Sequence, residues 1–280
     1  MSGAPGAYTA LVLAAQRRGA DDPLAPFCDN GNKCLIDMAG KPMIEWVLDT
    51  LLSAPEIARI VISSDDQALL DPLPRFADHL ASGRITVVAS GPDLFASVEA
   101  ALAGPEHERF PALITTADNP LLTTDMVKHF CAELERADVD AAIAMTPADL
   151  LRAEHPQGQR RFYAFTDGEF SNCNLYAIAR PKAIKAAAMF RGGGQFRKKA
   201  MRIVRAFGVF NFLLYFLHRL SLDDVGVRLS KTFGCHIGFV RMPFSEACID
   251  VDNERTMRIA QQILEARLAQ DAPAPVQAAG

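Results

Sequence analysis

The sequence predicts an α/β fold, a mostly parallel sheet with helices on both faces, and three observations carry that expectation. Short apolar, β-branched runs recur along the first half, at 10–15, 58–64, 84–90, 111–118 and 140–146. Segments of helical length separate most of them, at 42–53, 93–103 and 123–137. The first run also opens into a long polar loop rather than a tight turn. Strand and helix alternation at this spacing is the pattern of a parallel sheet, whose strands are covered on both sides and read as unbroken apolar stretches.

In chain order, Ala10 to Ala15 suits a buried strand. The loop after it carries Arg17, Arg18 and Lys33 and closes at Gly40-Lys41-Pro42. Pro42 fits the first position of a helix running to Leu52. A strand, a basic loop and a helix describe an anion site at the carboxyl edge of a sheet. The plainer reading is a surface loop that happens to be basic, but a long ordered loop in an α/β unit is uncommon without a role. Open sheets bind ligands beyond the carboxyl ends of their strands, which places Gln16, Ser64-Asp65, Gly91 and Asp118 along one rim.

Beyond residue 148 the pattern changes. Residues 160–179 read as a hairpin turning at Asp167-Gly168, a strong tight-turn signal. A helix near 181–190, a Gly192-Gly193-Gly194 break, a helical stretch over 195–219 and a helix near 221–232 follow. Residues 236–242 and 247–251 read as strands rejoining the sheet, and 255–268 as a closing helix. The expected organisation is one domain over 1–270, with a hairpin and helical acceptor or lid insertion at about 150–232, and a disordered tail over 271–280.

The chain has 280 residues, half of them hydrophobic, enough for a sizeable core. A net charge of −4 argues against nucleic acid as a partner. Six scattered cysteines with no C-x-x-C pair point to reduced thiols rather than a zinc site. The start of the sequence lacks a basic segment followed by an apolar one, so a cytoplasmic location is expected.

Two acidic positions invite a metal. Asp118, in Thr115-Thr116-Ala117-Asp118-Asn119-Pro120, ends a buried strand and could hold magnesium, which takes oxygen ligands and bridges carboxylates to phosphates. A turn or helix-capping aspartate is an equal reading. Asp250 and Asp252 would share one face of a strand, although Asp252 also suits a cap for the next helix. Asn172 and Asn174 fit a turn or a site.

Leu13-Ala14-Ala15 with Arg17, then Lys33-x-Leu35, then Gly40-Lys41-Pro42 resemble the signature of MobA-like nucleotidyltransferases. That group includes molybdenum-cofactor guanylyltransferase and related cytidylyltransferases. Its usual form is LAAG-x-x-x-R followed by K-x-L and GKP; this chain departs from it at Gln16, where the family has Gly. Residues 8–180 and 235–268 share the resemblance, including Ser97, Val98 and Ala101-Leu102 in the segment after the third strand.

The resemblance implies a Rossmann-like sheet of the nucleotide-diphospho-sugar transferase type. It implies Mg²⁺ on Asp118 and Asp252, with Asp250 a weaker candidate. Arg17, Arg18 and Lys33 would face the triphosphate, with Arg17, Lys33 and Asp118 catalytic. Ala14, Ala15, Gln16, Ser90, Gly91 and Ser97 would bind the nucleotide, and Asn172 and Asn174 the acceptor. The implied reaction moves NMP from an NTP, CTP or GTP favoured, to a phosphorylated small molecule or lipid precursor, releasing pyrophosphate. A nucleotide-sugar-dependent glycosyltransferase shares the architecture but normally shows D-x-D where this chain has Thr116-Ala117-Asp118. A nucleotide-binding or membrane-docking module without turnover is the non-enzyme alternative, supported by Gln16.

Residues 191–219 lie outside that pattern. Six Arg and Lys residues precede an apolar run too short to span a bilayer. The readings are a homodimer interface, a lid over an amphiphilic acceptor, or peripheral contact with anionic lipid at the inner membrane face.

Overall fold

The computed structural model describes residues 7–16, 21–28, 31–105, 109–184 and 208–271. Strands β1 (Tyr8–Leu13), β4 (Ile57–Ser64), β5 (Ile85–Ala89), β6 (Ala112–Thr116), β7 (Ala141–Pro147), β8 (Tyr163–Phe165), β9 (Gly168–Ile178) and β10 (Ile237–Arg241) form one eight-stranded sheet. Its order is β10-β7-β9-β6-β1-β4-β5, with β8 paired to the start of β9. A separate ribbon joins β2 (Asp37–Met38) to β3 (Lys41–Pro42).

Strand β1 lies at the middle, parallel to β4 and β6 on either side. Its alternate residues feed two different cores. Ala10 and Val12 join one cluster, and Leu11 joins the other, all three fully buried. The first cluster takes the apolar faces of α1 (Met43–Ser53), α4 (Thr124–Ala137) and α8 (Glu254–Asp271), through Val47, Leu48, Met126, Phe130 and Leu264. The second takes Val98 and Ala101 of α3 (Leu94–Ala101) and Leu229 of α7 (Leu222–Phe233). A sheet covered on both faces needs apolar side chains at every strand position, hence the unbroken apolar runs.

The helix starts are local. Thr123 accepts from the Met126 N–H ahead of α4, and Asp93 from the Ala96 N–H ahead of α3. Ser221 and Asp224 form a reciprocal capping box at α7, which Gly234 ends in the left-handed conformation. Two shorter helices, α2 (Ala77–Ala81) and α5 (Ala148–Glu154), flank β5 and the hairpin.

Strand β9 breaks the parallel pattern. It runs antiparallel to both β6 and β7, so its first half stands at their carboxyl ends. The hairpin closes where the Asp-Gly signal places it, with Phe165 opposite Gly168.

Several expectations need correction. Pro42 is not the first helical residue. Its φ of −52° and ψ of 143° are extended, it belongs to β3, and α1 begins at Met43. Residues 247–251 are not a strand. Ser245–Cys248 form a 3-10 turn, and the following residues cross the carboxyl end of the sheet. Beside β6 no ladder position was open to them, because β6 is already flanked by β1 and β9. The expected 181–190 helix opens with a 3-10 turn, Pro181–Ala183, and Ile184 is helical; its later part lies outside the described residues. Of 195–219, the described part is α6 (Val209–Phe216) with the turn after it. Residues 272–280 also lie outside.

Candidate active site

The site sits at the carboxyl end of β1 and β6. Ala14, Ala15 and Gln16 leave β1 and bend over the rim, the Ala14 N–H still held by the Ser63 carbonyl at 2.9 Å. The Gln16 N–H donates to Asp65 Oδ1 at 3.1 Å, and its side-chain amide donates to the Gly31 carbonyl at 2.7 Å. The residue that departs from the usual Gly thus ties the start of the loop to its interior at Gly31 and to the end of β4.

Lys33 stands on a short 3-10 turn, Lys33–Leu35, that Asn32 caps by accepting from the Cys34 N–H at 3.0 Å. Its neighbour Cys34 is buried, which anchors the base of the lysine stem. The Lys33 Nζ reaches Asp118 Oδ2 at 2.7 Å and Asp252 Oδ1 at 3.6 Å, with the lysine side chain 13% exposed. Burial works against the charge on Lys33, but the Asp118 carboxylate beside it, with Asp252 and Asp22 further off, more than offsets this and raises its pKa.

Asp118 lies in the turn past β6, not within the strand, because the ladder ends at Thr116. Its second oxygen, Oδ1, is buried without a hydrogen-bond partner among the described residues. Asp252 is not the helix cap. Thr256 and Asn253 do that work, with the Thr256 N–H donating to Asn253 Oδ1 at 3.2 Å. The Thr256 hydroxyl also accepts from the Asp252 N–H at 3.1 Å. These bonds leave the Asp252 carboxylate facing Lys33.

A third acid stands behind the pair. Asp250 is pushed well above the usual carboxylate range, by burial first and then by the negative charges of Asp252 and Asp118. It accepts from the Asn174 side-chain amide at 3.0 Å. Asn172 donates to Tyr176 Oη at 2.6 Å and to Asn174 Oδ1 at 3.1 Å, and its own Oδ1 is buried without a partner. Asn174 has a φ of 47°, opposite the register shift in β7 between Ile143 and Met145. Asparagine tolerates the left-handed region, and such a bulge re-aims side chains.

A cleft of about 180 Å³ is lined by Ala14, Ala15, Gln16, Lys33, Asp118 and Asp252, together with Asp22 and Cys34. Among its described lining residues Lys33 is the one cation. Arg17 and Arg18, the other expected phosphate ligands, lie outside the described residues. Among the described residues no three His, Cys, Asp or Glu side chains form a ready metal shell. Two carboxylates converging on one cation, one of them with an orphaned buried oxygen, nevertheless fit an ion that completes its shell with substrate phosphates.

The remaining expected residues serve the rim differently. Ser97 is fully buried, and its hydroxyl accepts from the Gly91 N–H at 2.9 Å. A Cβ on Gly91 would stand 2.5 Å from the Ala96 Cβ, so the glycine is required by the close approach of α3. Ser90 pairs through its N–H with the Ser64 carbonyl at 2.8 Å. Lys41, placed near the site but not in it, lies over the Trp46 ring and pairs with Asp49 at 2.6 Å. Asp65 and Tyr176 were not singled out as site residues from sequence. Asp65 belongs to the predicted rim, and Tyr176 continues the two-residue period of Asn172 and Asn174 along β9.

This geometry, an open sheet with an acid pair and a lysine where β1 and β6 end, defines an α/β nucleotide-binding architecture. The MobA-like NTP transferase domain matches residues 27–205, and the chain belongs to that family. It is 30% identical over 148 residues to the 2-C-methyl-D-erythritol 4-phosphate cytidylyltransferase of Photobacterium profundum, covering 51% of this chain and 58% of that protein. The enzyme of the same name from Rhodococcus opacus is 27% identical over 164 residues, covering 50% of this chain and 70% of that one. The chain thus spans little more than half the length of the first of these relatives. A hypothetical transferase from Thermus thermophilus superposes with a TM-score of 0.71 at 25% identity, over 89% of this chain and 98% of its own. Among the described residues no helix is long and apolar enough to cross a membrane.

Proposed function

We propose that the chain is a nucleotidyltransferase that moves a nucleoside monophosphate, CMP by preference, from the triphosphate to a phosphorylated acceptor. The observation that carries this reading is the convergence of Asp118 and Asp252 on Lys33 in a cleft floored by Ala14, Ala15 and Gln16. The cytidylyltransferase names of the relatives favour CTP over GTP. Asp118 and Asp252 would hold Mg²⁺, which when bound offsets charge on the α-phosphate.

An acceptor phosphate oxygen forms the new bond to the α-phosphorus, and the bond to the pyrophosphate oxygen breaks. That oxygen nucleophile is already ionised at neutral pH, so no protein base is required. Lys33 meets charge on the phosphates as a mobile point charge, helped by Arg17 and Arg18 next to Gln16 in sequence. Asn172 and Asn174, on the far side of the acid cluster, would orient the acceptor. The β9 hairpin would then form the acceptor wall, and the β1 loop the nucleotide wall.

Pyrophosphate release tests the reading. CTP, GTP, ATP and UTP are each mixed with magnesium, the protein and a panel of phosphorylated sugars, polyols and lipid alcohols. Release is expected with CTP and one acceptor class. Sugar transfer from a nucleotide sugar without pyrophosphate formation would replace this reading with the glycosyltransferase one.

A further inference from the structure

Lys33 occupies an unusual place for a phosphate ligand. Its ammonium stands between the two carboxylates that would hold a divalent cation, 2.7 Å from one and 3.6 Å from the other. Its side chain is only 13% exposed. A divalent ion and an ammonium cannot share that position, because two cations a few ångströms apart repel. With Asp22 lining the cleft and Asp250 behind the pair, removal of Lys33 alone would leave several acids facing one another.

We propose that Lys33 is the resident counter-cation of the Asp118–Asp252 pair, and that a divalent cation enters only together with a nucleoside triphosphate, whose phosphates draw Lys33 away. This deepens the reading given above, since it rests on the acid pair being the metal site. The turn under Lys33 suits such a pivot. Asn32 and buried Cys34 fix its backbone, while the four-carbon stem leaves the ammonium free to swing. Two protein carboxylates are then a deliberate undersupply of ligands: the nucleotide delivers both the remaining oxygens and the new partner for the lysine. By linkage, metal and nucleotide strengthen each other's binding by the same factor.

The test is Mn²⁺ binding to the full chain without nucleotide, followed by the electron-spin resonance of the free ion. The proteins are wild type, Lys33→Met, Lys33→Gln and the double variant Lys33→Met/Asp118→Asn. Both single variants are expected to bind Mn²⁺ about tenfold or more tightly than wild type, within the usual range of coupling between sites. The double variant is expected to lose that gain. Single variants that bind no more tightly than wild type, or a double variant that keeps the gain, would overturn the proposal. If the single variants do not fold alone, a cooperative melt restored by MnCl₂ supports it, and no restoration in either variant overturns it. Pyrophosphate release is measured separately. Its absence from wild type alongside the expected Mn²⁺ pattern would sink the transferase reading and leave the counter-cation role standing.

Discussion

The backbone N–H of Val251 donates to the carbonyl oxygen of Asp118 at 2.9 Å. This bond joins the loop ahead of the last helix to the turn after β6 and sets the two distant acids side by side. It acts through main chain alone, so the carboxylates of Asp118 and Asp252 remain available to the cleft. The acid pair is therefore built by topology: β6 is enclosed between two strands, and the late segment has only its carboxyl end to cross.

Asp118→Asn removes a carboxylate while keeping the shape of the turn. Pyrophosphate release is expected to fall by at least about 100-fold, as befits a group that stabilises developing charge. Far-UV circular dichroism should be unchanged. A rate within a few-fold of wild type would show that Asp118 is not in the reaction.

Thr256→Val tests the support beneath Asp252. The Thr256 hydroxyl accepts from both the Asp252 and Asn253 N–H groups, at 3.1 and 3.3 Å. Without it the Asp252 carboxylate loses its fixed direction. The magnesium concentration for half-maximal activity is expected to rise roughly tenfold, the usual scale for a partner one shell removed from a metal. An unchanged magnesium requirement would mean that Asp252 is oriented by something else.

Gly91→Ala should act on stability. The added methyl would meet Ala96 Cβ at 2.5 Å and the backbone of Ala96 and Ser97 below 3 Å. Because two of these contacts are helix backbone, the clash relaxes only if α3 shifts. A loss of about 1–3 kcal/mol in urea unfolding is expected, typical of overpacking. No change would place α3 further from the loop.

Asp140 supplies a pH signature. It is 1% exposed, and burial alone would raise its pKa. The side chains of Lys182 and Arg180, at 2.8 and 2.7 Å, and the His236 N–H outweigh burial and hold it down at about 2. A carboxylate depressed by folding stabilises above its unfolded pKa, near 3.9, and loses that contribution as pH falls through its folded value. Asp140→Asn should therefore cost about 1–3 kcal/mol near neutral pH, on the scale of a lost charged hydrogen bond. The difference from wild type should shrink steadily between about pH 4 and pH 2. A cost that persists undiminished at the acid end would point to packing instead of charge.

Most of the sheet was legible because a strand segment buried on both faces is apolar, as in residues 10–12 and 60–62. Asp167-Gly168 marked its hairpin for an equally local reason. What escaped was set by neighbours distant in sequence. Residues 247–251 have strand-like composition, yet whether β6 offers a free edge cannot be read from them. Pro42 looks like a helix start because its φ suits one, but its ψ is fixed by pairing with Asp37. In the site, Lys33, Asp118 and Asp252 stood out through the resemblance to the family's motifs, since residue type alone left Asp118 and Asp252 equally open to capping roles. The bond from Gln16 to Gly31 and the asparagine ladder to Asp250 depend on a loop closure and a bulge that leave no pattern in composition.

The reversed direction of β9 has a further result. A strand running against its neighbours begins where they finish, so the chain delivers the amides of Asn172 and Asn174 to the rim beside Asp250 without an intervening crossover. The hairpin tip is tied back: the Thr166 N–H donates to the Leu220 carbonyl at 2.9 Å, and Asp167 accepts from the Leu222 N–H at 2.9 Å and pairs with Arg241 at 2.7 Å. The turn is thereby fixed to the start of α7 and the end of β10, so the strand carrying the two asparagines is held at its tip as well as along its ladder.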